Sequence, residues 1–205
     1  MIKQEDRILD TSKELFYRHG IKSITMDDIA NKLGMSKKTI YQYYEDKNAL
    51  LSSLVMMELK SQTKEMADIR KNSENAIDEM LQSMSCMSKN FSKMNPTLFF
   101  DLQKYHASAW NHFKNFKEKV LTEFVEENLR RGIKNELYRK DLKVRILARL
   151  RLEEVELGFN TTTFSHEQFN ISEVQLSLLE HFLYGVVTLK GYKLINKYKQ
   201  VHDEE

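Results

Sequence analysis

At 205 residues, 41% of them hydrophobic, the chain can bury a real core, and its single Pro and six Gly leave little punctuation for anything but helices. One cysteine, Cys86, excludes an internal disulfide and a thiolate zinc site. No run approaches the roughly 18 apolar residues that span a bilayer, and the start Met-Ile-Lys-Gln-Glu-Asp carries no apolar leader, so a cytoplasmic location is expected. The net charge of +2 is uneven: +1 over residues 1–50, 0 over 51–111, +6 over 112–151 and −5 over 152–205. A strongly basic N-terminal domain is thereby excluded, and any case for nucleic-acid binding there must rest on where the charges sit.

In chain order, Ile8, Leu9, Leu15 and Phe16, with Ser12 between them, fall on one face of a first helix. Gly20 is expected to stop it in the left-handed conformation. Thr25 caps the next helix, and Asp28 answers it as a capping box, though Glu or Gln is the usual partner. That helix turns Ile29 and Leu33 inward and ends at Gly34. Ser36 caps a third helix from Lys37 to about Tyr44, and Asp46 starts a fourth. Ala30 allows a close crossing, Gly34 supplies a positive φ, and Ile40 plugs the third helix into the core. Two helices joined in this way make a helix-turn-helix.

The run from Ile24 to Leu51, Ile-Thr-Met-Asp-Asp-Ile-Ala-Asn-Lys-Leu-Gly-Met-Ser-Lys-Lys-Thr-Ile-Tyr-Gln-Tyr-Tyr-Glu-Asp-Lys-Asn-Ala-Leu-Leu, resembles the signature of the tetracycline-repressor (TetR) family. Leu15-Phe16 and His19-Gly20 match that family's first helix. The specific resemblance covers about the first fifty residues; the rest is compatible with the family's variable helical body.

Within the third helix, Ile40 and Tyr44 face the core, Tyr44 standing where the family usually has Phe. Lys37, Lys38, Thr39, Gln42 and Tyr43 form the remaining surface, with two lysines and no acid. Such a face is either a solvated exterior or a match for a DNA groove, and the resemblance implies the groove. Gln42 has the chemistry to pair with an adenine edge and Lys38 to donate to guanine. The hydroxyls of Thr39, Tyr41 and Tyr43 suit phosphate oxygens. The resemblance also implies Tyr41 and Lys47 as phosphate clamps; Thr25 and Ser36, at helix N-termini, complete the expected DNA contacts.

No Gly/Ser or Pro linker separates head from body, and the fourth helix, about 47–69, runs from one into the other. Further helices are expected at 74–92, 97–114, 116–131, 141–159 and 172–198, with a break at Asn95-Pro96 and a capping box at Ser172-Glu173-Val174-Gln175. The last two long helices are apolar on two faces, which implies two packing partners. One reading is burial inside a bundle; the other is a two-fold dimer interface through Ile146, Arg149, Leu150, Glu153, Leu157, Leu179, Phe182 and Val186, which the resemblance also implies. Arg145, Arg149 and Arg151 precede Glu153, Glu154 and Glu156, so an antiparallel copy would face opposite charges, unless these are ordinary intrahelical pairs.

The middle of the chain is rich in Met and aromatics, from Met80 to Phe116. They form either solid core or a pocket for an apolar or amphipathic effector, with Met84, Met87, Phe91, Phe100, Tyr105, His106, Trp110 and Tyr184 as candidate lining. His106 and His112 are six apart and do not share a helix face, and there is no metal-spaced cluster, nucleophile elbow or phosphate-cradling Gly loop. No metal, cofactor or catalysis is expected.

The expectation is therefore an all-α protein: a three-helix helix-turn-helix head, residues 1–48, joined by a continuous helix to a ligand-binding and dimerising helical bundle, 49–205. Its expected role is that of a sequence-specific transcriptional regulator, a homodimer on a near-palindromic duplex operator, acting as a repressor released by a small hydrophobic or amphipathic ligand. The alternative is a ligand-independent DNA-binding or protein-recruiting factor of the same fold with a solid core.

Overall fold

The computed structural model describes residues 3–91, 95, 97–165 and 167–199, with the side chains of Asn90 and Phe91 outside that description. Met94 and Pro96, at the expected break, also lie outside it. Every regular element among the described residues is helical: α1 (Gln4–His19), α2 (Met26–Leu33), α3 (Lys37–Tyr43), α4 (Lys47–Asn72), α5 (Ala76–Phe91), α6 (Leu98–Tyr105), α7 (Ala107–Phe116), a π-helical stretch (Lys117–Leu121), α8 (Thr122–Lys134), α9 (Val144–Gly158), α10 (Ile171–Val186) and α11 (Leu189–Lys199). An isolated antiparallel bridge joins Tyr138 to Val187.

The chain forms two compact units, Met1–Thr63 with Lys93–Phe116, and Lys64–Ser92 with Lys117–Glu205. These units follow different lines from a functional division at residue 48, because α6 and α7 belong with the head and α4 enters both.

In the first unit, α1 buries Ile8, Leu9, Ser12 and Phe16 on one face. Ser12 lowers the cost of its burial by donating to the Ile8 carbonyl at 2.7 Å. These residues meet Ile29 and Ala30 of α2, Ile40 of α3, Leu50, Leu51 and Leu54 of α4, and Leu102, Ala109 and Trp110 of α6 and α7. Gly20 has φ 80° but ψ 158°, so the positive φ is as expected while the left-handed helical stop is not formed.

In the second unit, α5, α8, α9, α10 and α11 enclose Ile77, Leu129, Tyr138, Ala148, Leu179 and Leu183. Inside lies a charged network. Glu79 is 0% exposed. It accepts from Arg70 at 3.0 Å, from Asn128 at 2.5 Å and from Arg131. Asn128 in turn accepts from the Tyr138 hydroxyl at 3.1 Å. Burial raises the Tyr138 phenol well above its ordinary pKa. Gly132 on α8 lies flat against the Tyr138 ring, where a Cβ would collide.

Three expected elements are corrected. The helix expected at 97–114 is two helices, broken at His106 (φ −129°, ψ 64°). The one expected at 172–198 is also two. Arg139 donates to the Val186 carbonyl and Thr188 to the Leu137 carbonyl, each at 2.9 Å, and this contact with the 136–139 turn replaces helical bonds at the break. The start of α10 is capped by Asn170, whose Oδ1 accepts from Ser172 and Glu173. Ser172 therefore sits inside the helix. Gln175, expected to close a capping box, is instead buried and donates to the Val155 carbonyl at 2.8 Å.

Candidate nucleic-acid interface

The turn between α2 and α3 is built from local rules. Thr25 accepts from the Asp28 amide at 3.2 Å, and Asp28 accepts from the Thr25 amide at 2.8 Å, so the capping box closes with Asp in the Glu position. These bonds hold the Asp28 carboxyl below its ordinary pKa. Gly34 adopts φ 65°, ψ 28°, the left-handed geometry that a side chain would strain. Ser36 then accepts from the Thr39 amide at 3.1 Å and starts α3. Ile40 at 0% exposure and Tyr44 at 4% anchor α3 from beneath.

What remains outside is Lys38, Tyr41, Gln42 and Tyr43, all exposed and on a helix without an acid. The other expected contact residues are more committed. Lys37 forms an ion pair with Asp27 at 2.8 Å, which raises its pKa. The Thr39 hydroxyl shares a 2.8 Å hydrogen bond with that of Ser36. The Thr25 hydroxyl donates to Asp28 at 2.6 Å.

Lys47 differs most from expectation. Its ammonium donates to the carbonyls of Ile21 and Ile24, the latter at 2.5 Å, and thereby ties the α1–α2 loop to the start of α4. Burial lowers its pKa, against the opposing pull of Asp101 and Asp28. Nearby, His106 forms a 2.6 Å hydrogen bond between Nδ1 and Asn48 Oδ1. Its pKa is lowered, first by burial and then by the Lys47 charge.

The expected effector residues are divided between the two units. Met84 is buried and Met87 half-buried in the second unit's core. Phe100 and Tyr105 are exposed, while Trp110 stacks on Phe113 with centroids 5.1 Å apart in the first unit's core. Tyr184 donates to Asn196 at 3.1 Å. Phe91 offers no side chain to place.

The expected interface residues divide. Ile146, Leu150 and Leu157 are exposed at 66%, 47% and 41%. Arg149 and Glu153 are exposed beside them. Leu179, Phe182 and Val186 are instead interior to the second unit, where α10 packs on both α5 and α9, and they leave no free surface for another chain. The exposed apolar residues of α10 are Leu176 and Tyr184. The charge halves of α9 are partly spent as well: Arg151 is buried and pairs with Glu154, while Lys117 pairs with Glu153 and Glu156.

Sequence reasoning missed Asn48 and Glu79, each a polar residue with a partner far along the chain. No group of three or more His, Cys, Asp or Glu placed to hold a metal occurs among the described residues. None of the described helices is long and apolar enough to cross a membrane.

A capped helix-turn-helix on an all-helical chain defines the fold class of bacterial transcription regulators. Residues 8–54 match the bacterial regulatory proteins of the tetR family. The N-terminal domain is thus similar to that of the TetR family, as residues 24–51 lead one to expect. The chain is 33% identical over 107 residues to the HTH-type transcriptional regulator YvaF of Bacillus subtilis (strain 168), a stretch covering 52% of this chain and 56% of that protein. The chain thus matches little more than half the length of this curated relative. A transcriptional regulator from Cytophaga hutchinsonii superimposes with TM-score 0.72 at 21% identity, over 89% of this chain and 98% of that one. The transcriptional regulator FadR from Bacillus subtilis, in complex with stearoyl-CoA, superimposes with TM-score 0.66 at 16% identity, over 88% and 98% of the two chains. At such identities the likeness speaks for the fold.

Proposed function

We propose that this protein is a sequence-specific DNA-binding transcriptional regulator, with residues 1–48 as the DNA-binding head and 49–205 as the effector-binding and dimerising body. The observation that carries the reading is the outer face of α3, where Lys38, Tyr41, Gln42 and Tyr43 stand exposed over an anchored, capped helix. Rigid anchoring limits the side-chain entropy lost on docking, and an acid-free face suits a phosphate-lined groove. Gln42 and Lys38 read bases, and Tyr41 and Tyr43 contact phosphate. Lys37 joins them by exchanging Asp27 for a phosphate oxygen; the surface pair it gives up is worth about 0–1 kcal/mol.

The regulator acts as a homodimer on a near-palindromic operator. Ile146, Leu150 and Leu157 recur at helical spacing on α9 and remain exposed, which supports this reading. Replacing Leu150 by Glu is expected to give monomers in sedimentation; an unchanged dimer would move the interface elsewhere. Repression is relieved by a hydrophobic or amphipathic ligand that binds one conformation of the body better than the other. The uninterrupted α4 would carry the change to the head. The second reading, a ligand-independent factor, is favoured by the tight Phe99–Trp110–Phe113 ring cluster, which fills rather than lines space. A thermal-shift screen with long-chain acyl compounds, bile-acid-like amphiphiles and apolar cations separates the two. Selection of bound fragments from random duplex DNA tests the core claim, since enrichment of no sequence would overturn it.

A further inference from the structure

Lys22, in the loop between α1 and α2, holds its ammonium 4.0 Å from the centroid of the Tyr105 ring at the end of α6. Lys104 reaches the same ring at 5.4 Å, and the Phe100 ring at 5.1 Å. Two cations therefore crowd one exposed aromatic side chain. Neither has a carboxylate within ion-pair distance among the described residues, whereas Lys13, Lys37, Arg70, Arg151 and Lys199, each also beside an aromatic ring, do. The paired lysines also lower the Tyr105 phenol's pKa, Lys22 contributing most. Like charges gathered without a counter-ion repel each other and are relieved by an anion.

The position of this cluster is set by three hydrogen bonds already described. Lys47 holds the carbonyls of Ile21 and Ile24, which flank Lys22, against the start of α4. His106, the residue after Tyr105, is bonded to Asn48 in the same first turn of α4. The cluster thus adjoins the end of α4 that follows the recognition helix, and the loop bearing Lys22 leads into Thr25 and α2. Both of its elements belong to the first unit.

We propose that Lys22, Lys104 and Tyr105 form an accessory phosphate clamp, which grips the backbone of the operator duplex beside the groove entered by α3. The clamp rests on the DNA-binding reading and extends it to α6, a helix outside the helix-turn-helix. Its anion is a phosphodiester of duplex DNA. The lysines supply charge, and the phenol supplies a hydroxyl that donates to a phosphate oxygen while its ring fixes both ammonium groups. Such contact carries no sequence information and adds affinity uniformly.

The test is operator affinity as a function of salt for the full chain, on a duplex recovered from random DNA. Lys22→Ala/Lys104→Ala is expected to weaken binding several-fold at all sequences and to reduce the log–log salt slope by about 1 for the phosphate lost. Lys22→Arg/Lys104→Arg should restore slope and affinity, and circular dichroism should show all variants folded, since both side chains are exposed. A parallel Gln42→Ala variant should lose sequence preference with its slope unchanged. If Gln42→Ala behaves so but the double-alanine variant keeps the wild-type slope and affinity, the clamp is overturned and the regulator reading stands. If the wild-type chain enriches no duplex, both fall. Competition by inorganic phosphate at millimolar concentration, equal for wild type and double variant, is also expected; preferential competition against the wild type would mark a free-anion site and overturn the assignment to DNA.

Discussion

The two units deal with polarity in opposite ways. In the head, polar side chains stand at helix ends: Thr25 and Asp28 close one cap, Ser36 another, and Asp46 accepts from the Ala49 amide at 2.7 Å to start α4. In the second unit the most connected polar group is Glu79, wholly buried and facing Arg70, Arg131 and Asn128. End caps are worth about 1 kcal/mol each and fail one at a time. A buried carboxylate with two guanidinium partners is all or nothing, because losing one member strands the others. The polar bonds at the head's helix ends are thus small and independent, whereas those around Glu79 are shared.

The sharpest way to break that contrast is Glu79→Leu. It should lower the unfolding free energy by about 3 kcal/mol in urea titration, the low end for a disrupted buried pair because both arginines are a third exposed. A loss below about 0.5 kcal/mol would mean that the network specifies nothing and that the units are alike. Gly132→Ala is next. A methyl group pressed into the Tyr138 ring should cost about 1–3 kcal/mol as overpacking, read as a lower thermal midpoint. Gln42→Ala and Lys38→Ala act on function alone. Each should cost about 1–3 kcal/mol of operator binding with the urea midpoint unmoved. Thr25→Ala removes the hydroxyl that accepts from the Asp28 amide, leaving the backbone bond to the Asp28 carboxylate, and should cost about 1 kcal/mol of stability; a larger loss would show the head to be as cooperative as the body.

The smallest expected effect is on pH dependence. His106 has its pKa lowered in the folded chain, so the unfolded chain binds its proton more readily. The stability it contributes is full above the unfolded pKa of about 6.5 and is lost as pH falls through and below that value. His106→Asn should flatten the decline in thermal midpoint between about pH 7.5 and 5.5, in the window where imidazole titrates. An identical decline in the variant would assign the slope to other groups.

The legibility of the sequence follows the same divide. Thr25, Asp28, Gly34 and Ser36 were readable because each acts on residues within a few positions of itself. The break at His106 has no Gly or Pro beside it and goes with a bond to Asn48, 58 residues away, while the break at Val187 goes with contact to the 136–139 turn. Asn170 displaced Ser172 as the cap because two neighbouring residues compete for the same amides, and sequence does not rank them. The twin apolar faces of α10 were visible, but periodicity does not say whether the second partner is a neighbouring helix or another copy. For Leu179, Phe182 and Val186 it is a neighbouring helix. The clustering of Lys22 with Lys104 left no trace at all, since no spacing rule links residues eighty positions apart.

The grip of Lys47 on the Ile21 and Ile24 carbonyls has a consequence for how this head can diversify. A lysine that reads backbone oxygen is indifferent to the side chains of the loop it secures. An exposed loop residue such as Ser23 is therefore free to vary while the frame of the head stays fixed. Mutational tolerance in this loop is expected to be highest at Ser23, since Ile21 and Ile24 are buried in the head's core and Lys22 belongs to the proposed clamp.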